Sequence, residues 1–209
     1  MPYNHNDAFD LIRKNKHDLA MVIIEPSQGS NPRDDMLDFL KNLRNVTDDN
    51  DILLCFDEMI TGFRVALGGC IEYYGVIPDI VTYGKTIGAG LPIGVVAGKS
   101  KVMAAINSNQ SKIPVFLGGT FSANPLTMST TKTLLKYLIK NRNEIYPDLN
   151  KKGDYIKKSI NTSLGFLVST FLEASIFPAF SYFKLISPTE IIFLDIDPSF
   201  IMACQFSIF

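Results

Sequence analysis

Two charged residues close apolar runs in this 209-residue chain: Asp57 after "DILLCF" and Lys85 after "DIVTYG". They lie 28 positions apart, about the length of one strand–crossover–strand unit, so both are expected at the carboxyl ends of neighbouring strands. Lys85 is the only charged residue between Asp79 and Lys99, in a stretch rich in glycine. Apolar surroundings disfavour the charged form of a lysine and free its amine to attack a carbonyl, which is Schiff-base chemistry. A carboxylate such as Asp57 beside it can hold a pyridine nitrogen protonated. Downstream, "LGGTFSANP" offers backbone amides at Gly118 and Gly119 and hydroxyls on Thr120 and Ser122, a segment able to bind a phosphate.

Each feature also has a plainer reading. A lone lysine at a strand end is commonly a solvated surface residue. "FDE" (Phe56 to Glu58) is commonly a helix cap or a metal carboxylate. The glycines of "GAGLPIG" serve tight packing equally well, and their spacing departs from the GxGxxG of a dinucleotide site. "GGTFSANP" reads as a turn and helix start.

The elements that must position these groups follow from hydropathy. "LAMVIIEP" is a continuous apolar run ended by proline, the pattern of a parallel strand covered on both faces. A polar loop follows, and then Leu37, Phe39, Leu40 and Leu43 recur among charges in an amphipathic helix. "DILLCFDE" and "DIVTYGK" form a second and a third strand, and "LPIGVVAGK" a fourth. After "TFSANP" a long helix is expected, with Leu134, Leu135 and Leu138 on its inner face. Alternating strands and helical connections make an α/β fold, whose ligands bind beyond the carboxyl ends of the strands.

Composition narrows the partners. With 20 basic and 21 acidic residues, net charge -1, no broad field attracts nucleic acid or an anionic membrane. The three cysteines are odd in number and, like the two histidines, have no metal-ligand spacing, so neither a zinc site nor a disulfide framework is expected and a reducing compartment fits. The amino-terminal "MPYNHNDAFDLIRKNK" has neither the apolar core of a signal peptide nor the acid-poor composition of a transit peptide, so the expected location is cytoplasmic.

"FDEMITGFRVALGGCIEYYGVIPDIVTYGKTIGAGLPIGVVAGK" followed by "GGTFSANP" resembles the class III pyridoxal phosphate-dependent aminotransferases, of fold type I. Within that family "GFRVALGG" and "YYGV" are most similar to glutamate-1-semialdehyde 2,1-aminomutases, and "EPSQGSNP" to aminotransferase domains of polyketide and peptide synthases. The resemblance runs from about Leu19 to Ile160. It implies that Lys85 forms the Schiff base with pyridoxal 5'-phosphate and later shuttles a proton. Asp57 is implied to pair with the pyridine nitrogen. Thr120 would reach the cofactor phosphate of a neighbouring subunit, making a homodimer part of the site. Met59 falls where the family has an apolar wall against the ring, and Ile60 where many members place glutamine. Glu25, in the "EP" element, would lie near the substrate entrance or serve a structural role. The expected substrates are an amino acid and an amino-aldehyde or keto compound.

Family members are longer. Their substrate-gripping amino-terminal segment, the phosphate-binding glycine turn and the aromatic residue stacked on the ring have no match here, so an inactive fragment or interaction module is the alternative reading. The expected organisation is a partial cofactor-binding large domain over 1–140, a helix leading toward a small domain over 141–161, and an unassigned hydrophobic tail over 162–209. That tail holds 9 of the 15 phenylalanines, five charged residues and one glycine. Glu173 and Pro178 interrupt its apolar run and no basic flank anchors it, which disfavours a membrane span.

Overall fold

The computed structural model describes residues 5–33, 35–106, 115, 118, 119 and 122–173. Four strands, β1 (Met21–Ile24), β2 (Leu53–Glu58), β3 (Ile80–Gly84) and β4 (Gly94–Gly98), form one sheet in sequence order. The first three are parallel, with Ile24 beside Phe56 and Asp57 beside Thr82, and β4 returns antiparallel to β3. The result is the mostly parallel α/β sheet expected.

One face of that sheet carries the core. Val22, Ile24, Leu54, Phe56 and Val81 are buried there under α1 (His5–Lys14) and α2 (Met36–Asp49). Helix α2 presents Met36, Phe39, Leu40, Leu43 and Val46 at helical spacing, and Phe9 of α1 stacks on Phe39 with ring centroids 5.4 Å apart. Full burial of each large apolar side chain contributes roughly 1.5–3 kcal/mol. The expected inner stripe holds except at Leu37, which is partly exposed because it lies on the flank of the helix. Helix α1 was not expected; its buried Ala8, Phe9 and Ile12 stand at i, i+1 and i+4 within a polar segment.

The opposite face departs from the expectation of a strand covered on both sides. Alternation along β1 buries Val22 and Ile24 but leaves Ile23 55 % exposed, and Val96 of β4 is 57 % exposed on the same side. Among the described residues the helices over the core pack on one face only.

At the amino end of β3 a charge cluster fastens the sheet to α2. The Asp79 carboxylate, 7 % exposed, accepts the Leu54 N–H at 2.8 Å and pairs with Arg44 at 2.8 Å and Lys99 at 2.7 Å. Burial pushes this carboxyl up, but the Leu54 amide, Lys99 and Arg44 outweigh burial and hold it at about 2.

Beyond β4 come the short α4 (Ser100–Met103) and then α5 (Pro125–Glu173), which contains Pro147. Thr127, Thr131 and Leu138 of α5 are buried and Leu134 and Leu135 half-buried, so the predicted inner face is the one that packs. No described helix is long and apolar enough to cross a membrane. The tail beyond residue 173 lies outside the described residues.

Candidate functional site

The parallel strands bring Glu25, Asp57 and Lys85 to one edge of the sheet, just past the carboxyl ends of β1, near the end of β2 and just past β3. Asp57 stands on the open face. Its Oδ1 accepts the Met59 N–H at 3.0 Å and the Thr82 hydroxyl at 3.2 Å. The other oxygen takes no hydrogen bond among the described residues, so it is available to a ring N–H. Thr82 was not singled out by sequence; its signal was its place three residues before Lys85, which makes it the register partner of Asp57. Burial, and then the Asp57 charge, push the adjacent Cys55 thiol up to about 11, which keeps that buried sulfur a neutral thiol.

Lys85 opens a short 3-10 turn, Lys85–Gly88, and its side chain is exposed rather than enclosed. The burial expected around it is therefore absent from this chain alone, although α5 packs against the turn that it opens. Its backbone is unusual instead. φ is +47°, a left-handed conformation that costs a non-glycine residue roughly 1–2 kcal/mol. Ala89 and Gly90 also have positive φ, and the chain then reverses into β4. A connection this short forbids a parallel crossover, which accounts for the antiparallel fourth strand.

A turn after β2 holds the end of β3. Met59 lies against Gly84, where an added β-carbon would overlap its side chain. Gly62 lies so close to the Tyr83 ring that a β-carbon would come within 2.6 Å of Cδ1, and the Phe63 ring sits 5.2 Å from that of Tyr83. Ile60 packs on Gly29 of the loop after β1. The Tyr146 hydroxyl of α5 donates to the Phe63 carbonyl at 3.2 Å.

Of the two readings of "FDE", the structure shows the cap, and Glu58 makes it. Its side chain is fully buried. Oε2 accepts the Cys70 N–H at 2.7 Å and the Thr61 hydroxyl at 3.0 Å, and Oε1 accepts the Ile71 N–H at 3.0 Å. It caps the first turn of α3 (Gly69–Tyr74). Burial pushes its carboxyl up against the pull of these three donors.

The helix start predicted after "TFSANP" is present. Asn124 Oδ1 accepts the N–H groups of Leu126 at 3.0 Å and Thr127 at 3.2 Å, and Pro125 takes the first helical position. Those two amides are thus occupied by the cap. Thr120 lies outside the described residues.

Comparison with known proteins fits this arrangement. A family model described as aminotransferase class-III matches residues 3–165. A glutamate-1-semialdehyde 2,1-aminomutase of Methanosarcina acetivorans is 44 % identical over 162 residues, 77 % of this chain and 37 % of that protein. One from Alkaliphilus oremlandii is 41 % identical over 182 residues, covering 81 % of this chain and 41 % of its own length. Among solved structures, a transaminase with PLP bound superposes with a TM-score of 0.69 at 29 % identity, over 79 % of this chain and 38 % of that one. An omega-transaminase from Sphaerobacter thermophilus gives 0.61 at 34 % identity, over 65 % and 31 %. The chain thus spans about two fifths or less of the length of these relatives. With the family model covering most of its residues, and the strand order and site edge in place, this chain belongs to the class-III aminotransferases.

Proposed function

We propose that this chain contributes the lysine-bearing part of a pyridoxal 5'-phosphate site for amino-group transfer, of the transaminase or glutamate-1-semialdehyde 2,1-aminomutase kind. The observation that carries the reading is the placement of Asp57, with one oxygen that takes no described donor, and of Lys85 at the carboxyl ends of two hydrogen-bonded strands. The donor set fits the cofactor. Bound there, pyridoxal phosphate supplies an electron sink for the carbanion formed at the substrate carbon.

The chain's own residues have separate tasks. Lys85 Nζ would hold the cofactor through its aldehyde carbon, the aldehyde oxygen leaving as water, and would carry the proton to and from the substrate carbon. Asp57 holds the ring nitrogen protonated, and Thr82 and the Met59 amide keep its Oδ1 in place. Met59 supplies an apolar wall where it lies on Gly84. Thr120 is assigned to the phosphate bound by a second subunit in a homodimer, and Glu25 to the substrate entrance. The substrates are an amino acid and an amino-aldehyde or keto compound. The buried, unpaired thiols of Cys55 and Cys70 suit a reducing, cytoplasmic setting.

The test is covalent. The chain is incubated with pyridoxal phosphate, reduced with borohydride and mapped by mass spectrometry; a pyridoxyl group on Lys85 that disappears in Lys85→Ala is expected. Labelling spread over surface lysines, unchanged in that variant, refutes the reading. The open sheet face favours a second reading, an inactive module that docks on a longer class-III chain; co-purification with such a chain without any Lys85 label identifies it.

A further inference from the structure

Taking Lys85 as the amine that links the cofactor, we propose that Glu58 is a positioning residue: its buried carboxylate fixes the segment from Met59 to Ile71, and that segment sets the backbone from which Lys85 projects. Asp57 and Glu58 are consecutive, so their side chains leave opposite faces of β2. Asp57 faces the ligand edge, and Glu58 faces the protein. Its three donors come from both ends of one segment, Thr61 near the start and Cys70 and Ile71 at the finish, so a single carboxylate closes the loop. Gly69 shows how closely the segment is shaped to it. With φ at +64°, its missing β-carbon would overlap Glu58 Oε2.

The closed loop bears directly on the lysine. Met59 covers Gly84, and Gly62 and Phe63 enclose the Tyr83 ring, so the two residues preceding Lys85 are gripped by the segment that Glu58 ties down. The Gly62 N–H also donates to the Glu58 carbonyl at 2.9 Å, joining the loop to β2 through the backbone. A left-handed lysine persists only where its neighbours over-determine it. Without the loop, Lys85 would relax and its amine would leave the edge shared with Asp57.

Glutamine is the sharp test, because the two amides use different carboxylate oxygens and Gln can accept with only one end. The full chain and its Glu58→Gln variant are compared by amide hydrogen exchange without cofactor, and by pyridoxyl incorporation at Lys85 after borohydride. Expected are a tenfold or greater rise in exchange over Gly84–Gly88 with α2 unchanged, at least tenfold less label on Lys85, and partial recovery in Glu58→Asp. Asp79→Asn serves as the reference for general destabilisation; it should raise exchange across the sheet without singling out Gly84–Gly88. Should Glu58→Gln not fold, Gly69→Ala displaces the same carboxylate sterically and should give the same local rise. Exchange that rises uniformly or not at all, or label that stays constant, overturns the proposal. If the parent chain takes no label, the cofactor reading fails, and the exchange comparison alone decides whether Glu58 holds Lys85.

Discussion

Strand β3 is five residues long and its two ends are built on opposite rules. At the amino end Asp79 has every neighbour it needs: an amide, a guanidinium and an ammonium meet one nearly buried carboxylate. At the carboxyl end Lys85 is exposed, its backbone is left-handed, and the carboxylate on the next strand keeps an oxygen in reserve. The first arrangement lowers the energy of the folded chain. The second leaves polar groups short of satisfaction, as the proposed cofactor site requires.

That contrast breaks most visibly at the amino end. Asp79→Asn removes the charge from between Arg44 and Lys99, and a loss of about 3 kcal/mol in unfolding free energy is expected from urea titration. Acid probes the same cluster more gently. The Asp79 carboxyl is held at about 2 instead of 3.8, so its contribution is complete above pH 4 and is lost as pH falls through 2. The loss is about 2 kcal/mol. Urea midpoints between pH 6 and pH 2 should show it in the parent and much less of it in Asp79→Asn.

The carboxyl end should respond in function and hardly at all in stability. Asp57→Asn keeps a carbonyl oxygen for Met59 and Thr82, so unfolding changes by less than about 1 kcal/mol, but the amide cannot offer a charge to a ring N–H. Retention of pyridoxal phosphate, followed by absorbance after gel filtration, should weaken by about 10- to 100-fold. The smallest effect is expected for Lys85→Gly. Relief of the left-handed strain roughly offsets the greater freedom of glycine in the unfolded chain, so stability should shift by less than about 1 kcal/mol. A large loss there would show that Lys85 is structural after all, and the contrast between the two ends would fail.

Much of this was legible in the sequence because the signals were local. Apolar runs closed by Pro26, Asp57 and Lys85 located three parallel strands and the edge they share. Lys85 and Asp57 could be placed at those ends from their positions alone. What was illegible depended on contacts between distant residues. Nothing local to Glu58 shows that amides 12 and 13 residues away fold back on it. Asp79 read as the first residue of a strand, and its partners lie 35 positions upstream and 20 downstream. Helix α1 was hidden because four apolar residues among charges resemble a polar terminus until a core is present to receive three of them. The direction of β4 was available in principle, since the connection from Lys85 to Ile93 is too short to hold a crossover helix.

The open side of the sheet has a colloidal consequence. Met21, Ile23 and Val96 present apolar surface beside β1 and β4, whose outer backbone edges carry no strand among the described residues. Such a surface associates with whatever apolar surface it meets, and its own copies are the nearest supply. The isolated chain should therefore scatter light increasingly with concentration. Ile23→Lys should suppress that scattering, and its stability should hold because position 23 lies outside the core.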